Sequence, residues 1–474
     1  MAYTVSIASF LGQDGFYNMN IIIAGDGKVG LALTSQLLRE EHDLVVIDSN
    51  PNVLKANLDQ FDVMTVHGNA ATMATLRSAN VEDADLLIAA TSADEINLLC
   101  CLTAKRMNRH IHTIARVRSP EYAEQLIAMR EDLGLSMTIN PEQSAAMDIF
   151  RSLQFPSFLR RETFGKGRVE IVELQVKPDS ALCDIPLSSL YKIAKVKVLV
   201  CAVDRDGTVT IPDGSYVLRP GDHIYVTAKA VNLAQLIKNL GISTRKIRQV
   251  MLVGGGRLAY YLAERLISAK INVKIIESDP VRARSLAEQL PKAAVIEGDG
   301  SSKALLDSEG IRQTDAVVTL TGIDEENIVI SMYAASNKVS KVVTKVNRLE
   351  YSGMFANLGI GSVVSPKELC GSNIVRYVRA MQNQKGSMLA LHRIADGKAE
   401  AMEFLVDDSV RWRSTPLKDV PLRRGVLIAC ITHLNQTIIP DGNSEFRKGD
   451  SVVVVTTLEN PFRQMNDIFN DKGI

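Results

Sequence analysis

Ile21-Ile22-Ile23-Ala24-Gly25-Asp26-Gly27-Lys28-Val29-Gly30 leads through an amphipathic stretch to Leu44-Val45-Val46-Ile47-Asp48. The same order returns as Val250-Met251-Leu252-Val253-Gly254-Gly255-Gly256-Arg257-Leu258-Ala259, then Val273-Lys274-Ile275-Ile276-Glu277. Gly25 and Gly254 stand 229 positions apart (254 less 25), as do Asp48 and Glu277. Further on, Thr91-Ser92-Ala93-Asp94-Glu95-Ile96-Asn97 is answered by Thr321-Gly322-Ile323-Asp324-Glu325-Glu326-Asn327, and Ile211-Pro212-Asp213-Gly214 by Ile439-Pro440-Asp441-Gly442. Offsets that drift by only one or two residues across so many landmarks mark a tandem duplication of a unit of about 225 residues.

Within each unit, strand-like and helix-like patterns alternate. In the first, apolar β-branched runs at 44–47, 63–66, 86–90 and 111–117 are separated by helical periods, the pattern of a parallel, doubly wound sheet. From 169 to 242 the pattern changes to short strands at 170–176, 197–204 and 223–228, divided by Asp206-Gly207, Asp213-Gly214 and Pro220-Gly221 turns, the mark of a small α+β module. The expected architecture is therefore α/β: two Rossmann-like parallel-sheet domains at 19–154 and 247–384, each followed by a small α+β domain, at 160–245 and 387–474. Segments 155–167 and 241–246 are the expected joints. Residues 1–18 lie outside the repeat and read as a disordered extension, or as a start choice upstream of a working initiator at Met19.

Composition narrows the class. With 46% hydrophobic and 23% charged residues the 474-residue chain is ordinary for a soluble globular protein. Lys plus Arg equals Asp plus Glu at 54 each, so no overall positive field points to nucleic acid or to anionic lipid. The longest apolar runs are strand-length, far below the roughly 20 residues of a spanning helix. Six scattered cysteines give neither a disulfide framework nor metal-ligand spacing, and a reducing cytosol is the expected compartment.

The glycine loop supplies a specific chemistry because of its context. It follows a strand, opens a helical period, and precedes a strand ending in Asp48, 18 residues after Gly30. Gly25 permits the tight turn, Gly27 lets backbone N–H groups approach a pyrophosphate at the helix N-terminus, and Gly30 allows close helix–strand packing. Asp48 is placed to accept from an adenosine ribose and to repel a 2′-phosphate, which favours NAD(H) over NADP(H). The bland alternative is a structural glycine turn in an empty domain.

In the second unit Gly254 and Gly256 keep their places, Ala259 stands third, Arg257 adds a cation, and Glu277 replaces the aspartate; the alternative there is a degenerate repeat. Thr91 and Ser92, with Thr321 as counterpart, end a strand at the carboxyl edge where ligands bind such sheets. They equally fit a helix cap. Arg116 and its counterpart Lys345 put a cation at the same edge, for phosphate, ribose or a surface ion pair. None of the seven histidines recurs beside the loop, and no nucleophile–base dyad or metal cluster is visible. A hydride-transfer enzyme would need such an acid or base and a larger substrate domain.

These stretches, together with Gly68-Asn69 and Ile114-Ala115-Arg116-Val117-Arg118-Ser119-Pro120-Glu121-Tyr122, resemble the TrkA family of potassium-uptake regulatory subunits, which carry two RCK (KTN) nucleotide-binding domains, each with an RCK C-terminal domain. The resemblance covers the chain from Met19 to its end. It implies no catalysis, a cytoplasmic subunit peripheral at the inner face of the cell membrane, and docking under a separate Trk-type integral-membrane potassium transporter. It also implies a homo-oligomeric ring of RCK domains, gating by NAD(H) and by ATP or ADP, and contacts to nucleotide from Gly25, Asp26, Gly27, Lys28 and Val29 with Asp48, Thr91, Ser92 and Arg116. Against it stand an NAD-dependent dehydrogenase with duplicated domains and a soluble nucleotide sensor without a membrane partner.

Overall fold

A computed structural model gives the structure of residues 18–154, 161–164, 169–240, 246–347, 360–382, 388–434, 436–457, 462 and 464–470. The N-terminal extension and most of both expected joints lie outside the described residues. The chain divides into two compact units, one of residues up to Asn140 with Cys370–Gln382, the other of Pro141–Leu369 with Asn383–Ile474.

In the first unit, β1 (Asn20–Ala24), α1 (Lys28–Leu38), β2 (Asp43–Asp48), α2 (Pro51–Leu58), β3 (Met64–His67) and α3 (Met73–Ser78) form one winding. β4 (Leu86–Ala89), α4 (Asp94–Met107), β5 (His112–Arg116), α5 (Pro120–Met129) and β6 (Met137–Ile139) form the other. The strands are parallel in the order β3-β2-β1-β4-β5-β6. The order reverses between β1 and β4, so a crevice opens beyond their carboxyl ends. The unbroken Ile21-Ile22-Ile23 run follows from burial on both faces: Ile21 and Ile23 join one core cluster, Ile22 and Ala24 the other.

The cluster holding Ile21, Ile23 and Leu33 also contains Cys370, Ile374 and Val378, from the helix Pro366–Gln382, here α13. Arg379 clamps Glu40 with two hydrogen bonds of 2.6 and 2.7 Å. Cys370–Gln382, which begins 230 positions after Asn140 (370 less 140), thus completes the first unit's core.

The second unit repeats the parallel sheet with β12 (Gln249–Val253), β13 (Asn272–Glu277), β14 (Ala294–Glu297), β15 (Ala316–Thr319), β16 (Lys341–Lys345) and β17 (Ser362–Val364), in the order β14-β13-β12-β15-β16-β17. The helix Pro141–Gln154, α6, places Ala145, Ile149 and Leu153 among Leu258, Leu262 and Leu266 of the helix Arg257–Ser268. The spacing of four between those α6 residues forms one apolar stripe. α6 thus packs in the second unit's core, and Cys370–Gln382 packs in the first unit's. Two five-stranded antiparallel sheets complete the unit, one spanning Arg161–Lys229 and one Met388–Thr457. Phe164, Ile171, Cys201 and Tyr225 of one share a core with Ala401, Ala429, Cys430 and Val453 of the other.

Ile374, fully buried in the first unit's core, gives a test of this composition. Ile374→Ala is expected to lower the stability of the first parallel sheet by ~2–5 kcal/mol. Hydrogen exchange should speed up at the β1 and β4 amides and leave the β12 and β15 amides at the wild-type rate.

Candidate functional site

The crevice at the β1–β4 switch is built from backbone constraints. Gly25 has φ +98°, and a Cβ added there would lie 2.7 Å from Thr91 N and 2.8 Å from its Cα. A Cβ on Gly30 would meet the Gly25 carbonyl oxygen at 2.0 Å. Both glycines are therefore fixed by close approach, one seating the loop on the end of β4 and the other seating α1 on the loop. Gly27, the N-cap of α1, differs: no atom lies within 4 Å of its added Cβ. The space beside its Cα is thus open, at the helix end where backbone N–H groups attract anions. Lys28 is exposed beside it, while Val29 is buried.

Asp48, half-buried at the end of β2, accepts from the Asp26 N–H at 2.7 Å through Oδ2 and from the Asn50 N–H at 2.8 Å through Oδ1. It braces the loop and keeps a partly exposed carboxylate at the crevice. Asp26 itself is only 3% exposed. Asn57 Nδ2 donates to its Oδ1 at 2.7 Å, while Oδ2 is buried with no hydrogen-bond partner. Burial pushes the Asp26 carboxyl up to about 6; the Asn57 bond opposes the rise and the neighbouring Asp48 adds to it.

The Thr91 N–H and hydroxyl both donate to Asn97 Oδ1, at 2.8 and 2.7 Å, and Asn97 Nδ2 donates to the Arg116 carbonyl at 2.8 Å. Asn97 is fully buried, so one side chain ties the ends of β4 and β5 together. Ser92 is exposed, and its carbonyl accepts from Arg118 Nη2. Asp94 accepts from the Arg118 and Ser119 N–H groups at 2.7 and 2.8 Å, joining the first turn of α4 to the loop before α5. The N-cap of α4 is Ala93, without a side-chain cap bond. Thr91 therefore acts on the loop and not as that helix's cap. Arg116 is half-buried at the carboxyl end of β5. The structure thus gathers Gly25, Asp26, Gly27, Asp48, Thr91 and Arg116 at one sheet edge.

The second crevice keeps the frame and alters its lining. Gly254 has φ +100°, with an added Cβ 2.8 Å from Thr321 N, and nothing lies within 4 Å of the Cβ on Gly256. Gly256 caps α9 (Arg257–Ser268), and Arg257 is exposed. Glu277 is 5% exposed and accepts from the Gly255 N–H at 2.7 Å and the Asp279 N–H at 2.8 Å. Thr321 N–H donates to Asn327 Oδ1 at 2.8 Å. Lys345 Nζ donates to the Thr321 carbonyl at 2.9 Å, so this cation is engaged with the backbone at the strand edge. Where the first site has Asp26 with Asn57, the second has Gly255 with Leu286; a Cβ on Gly255 would meet Leu286 Cδ1 at 2.5 Å.

Sequence reasoning missed three participants: Asn57, Asn97 with its counterpart Asn327, and Asp94 with Asp324. Asn97 and Asp94 stood in the repeated stretch, and their recurrence was the available signal. Asn57 carried none, because Leu286 replaces it. Among the described residues no group of three or more His, Cys, Asp or Glu could hold a metal ion, and no helix is long and apolar enough to cross a membrane.

Comparison with known proteins follows this geometry. The family model described as the TrkA-N domain matches residues 21–141 and 250–366, and that of the TrkA-C domain matches 171–241 and 401–469. A relative in Methanosarcina mazei, "Trk system potassium uptake protein TrkA homolog 1", is 32% identical over 92% of this chain and 97% of its own. Among solved structures, the GsuK RCK domain superposes with a TM-score of 0.60 at 18% identity, covering 95% of this chain and 94% of that one. The structure titled "GsuK channel bound to NAD" gives 0.60 at 19% identity, covering 95% and 78%.

Asp26 offers a test of the site's electrostatics. Its folded pKa of about 6 lies above the ordinary 3.8, so the folded state holds the proton more tightly and stability falls as pH rises between these values. Above about 6 the cost of the buried carboxylate is fully present; below about 4 it is gone. Asp26→Asn should therefore stabilise the protein by ~1–3 kcal/mol at pH 8 relative to its effect at pH 4. Urea unfolding at both pH values measures this, and an equal effect at the two would refute it.

Proposed function

The chain belongs to the TrkA family, and from that premise we propose that it is a nucleotide-sensing regulatory subunit which gates a separate integral-membrane potassium transporter. The observation that carries this reading is the pair of crevices. Each combines an open helix N-terminus, at Gly27 and at Gly256, with a carboxylate braced at the end of the neighbouring strand, Asp48 or Glu277. The residues fit a dinucleotide. In the first crevice the N–H groups at the start of α1 would receive the phosphates, Lys28 would add positive charge, and Asp48 would accept from a ribose. Ser92 and Arg116 stand at the same edge for the remaining polar groups, and Thr91 holds the loop. In the second crevice Gly256, Arg257 and Glu277 take these places, with Thr321 and Lys345 at the edge.

NAD(H) is the proposed ligand of the first crevice, with ATP or ADP as further effectors. The NAD-bound structure of a protein with a similar fold supports the choice. So does Asp48, since a carboxylate near a 2′-phosphate costs free energy when partly desolvated. The nucleotide acts here as an effector and not as a hydride donor. It can drive a change only by binding two conformations unequally, in a homo-oligomer arranged as a ring of RCK domains. The zero formal net charge supports a cytoplasmic subunit that reaches the membrane through its transporter and not through anionic lipid.

Two experiments test this. Gly27→Val places its side chain in open space, so folding should persist while phosphate approach is obstructed; calorimetric titration with NADH should show affinity at the first site weakened tenfold or more, about 1.4 kcal/mol per factor of ten. Wild-type protein should prefer NADH over NADPH, and Asp48→Asn should narrow that preference. In flotation assays the protein should rise with liposomes containing a Trk-type transporter, with the amount depending on nucleotide, and should stay behind with bare anionic liposomes. Binding to bare liposomes, or none to transporter liposomes under every nucleotide condition, would remove the gating reading.

A further inference from the structure

Asp26 is 3% exposed and Asn57 is fully buried, and one hydrogen bond joins them, from Asn57 Nδ2 to Asp26 Oδ1 at 2.7 Å. The other oxygen of each, Asp26 Oδ2 and Asn57 Oδ1, is buried without a hydrogen-bond partner. A carboxylate oxygen and an amide oxygen are both acceptors, so neither can satisfy the other. A proton on the Asp26 carboxyl changes this balance. It removes a buried charge, and it gives the pair the donor that it lacks.

The surroundings act in the same direction. Of the elements packed around the loop, β2 ends in the Asp48 carboxylate, which accepts from the Asp26 N–H at 2.7 Å and disfavours a second negative charge beside it. α2 contributes the uncharged Asn57, and α1 the exposed Lys28. β3 ends in the exposed His67, whose Nε2 lies 3.1 Å from the Ser49 carbonyl oxygen. β4 leads into Ala90 and Thr91, which do not titrate in this range. Burial is the largest cause of the raised Asp26 carboxyl; the Asn57 bond opposes it and Asp48 adds to it.

Gly27, the next residue, caps the open end of α1. An anion received there raises the cost of an ionised Asp26 and leaves a neutral one unaffected. We propose that the first crevice takes up a proton at Asp26 when it binds a dinucleotide, so that Asp26 with Asn57 makes the affinity of this site depend on pH. The inference rests on the nucleotide reading of the crevice. It belongs to one copy, since Gly255 and Leu286 replace Asp26 and Asn57 at the second loop. Proton and ligand favour one another by the same factor, which fixes the direction: affinity is highest with Asp26 protonated and falls as pH rises.

The test is calorimetric titration of the full chain with NAD at about pH 6.5 in PIPES, MOPS and imidazole, whose differing heats of ionisation report the protons taken up. Net uptake of a fraction of a proton per NAD is expected, with affinity falling about threefold or more from about pH 5 to about pH 8, as a rise of about half a pKa unit on binding requires. Asp26→Asn, neutral at every pH, should abolish the uptake and flatten the profile. The double variant Asp26→Gly, Asn57→Leu, which installs the second loop's pair, should do the same and provides the result should Asp26→Asn not fold. His67→Gln should keep the uptake. NAD binding without proton uptake and with one affinity across this range overturns the inference, as does uptake that persists in a folded Asp26 variant or vanishes in His67→Gln. Absence of NAD binding at every pH removes the nucleotide reading, and this inference with it; the binding isotherm separates that outcome from the others.

Discussion

The approach of Gly25 to the Thr91 backbone is the constraint on which the first crevice depends. A single added carbon would stand 2.7 Å from Thr91 N, so the loop can close on β4 only with a glycine in the left-handed region. That closure brings the start of α1 over the sheet edge, places the Asp26 N–H on Asp48, and sets Thr91 where Asn97 takes both its N–H and its hydroxyl. Gly254 meets Thr321 at 2.8 Å with the same consequences for Glu277 and Asn327. Two independent copies of one steric solution explain why the frame survived duplication while its lining did not.

The divergence is physical and local. Where one copy carries a polar pair the other carries an apolar contact: Asp26 with Asn57 against Gly255 with Leu286 at the loop. Behind the sheet the pattern inverts, with Val45 and Ala79 against Lys274 and Glu309. At the mouth of the crevice Asp94 is met by Arg118 in the first copy, while Asp324 is met by Asn347 in the second, whose Nδ2 and N–H both donate to it at 2.8 Å. A cation is thereby exchanged for an amide at equivalent positions. The two halves share a fold and differ in the charge and polarity of the groups that line their crevices.

The parallel sheets, the glycine turns and the carboxylate at the end of the second strand were legible in the sequence, because each is a local pattern: alternating apolar runs, a fixed spacing, an acidic residue after a β-branched run. The ownership of α6 and α13 was not. Ala145, Ile149 and Leu153 declare an apolar stripe, but a stripe states only that a helix is buried on one side, not which sheet it covers. A boundary drawn from local pattern therefore carries no statement of which core α6 joins. Asn97 was visible as a repeated letter, yet a buried amide that satisfies backbone groups from two strands has no spacing rule.

The loop substitution also gives the first crevice a property the second lacks. Asp26 is buried beside Asp48 with one unpaired oxygen, and its carboxyl sits at about 6, so near neutrality a fraction of the protein carries a proton there. Any anion brought to the start of α1 adds negative potential close to that carboxyl and favours its protonated form. Anion binding at this loop is then linked to proton uptake, and by reciprocity protonation favours the anion. At the second loop Gly255 offers no titratable group, and the space is filled by Leu286. A single side-chain difference therefore gives the first crevice a buried carboxyl at its loop, with its pKa raised by burial, and leaves the second loop without a titratable side chain at the equivalent position.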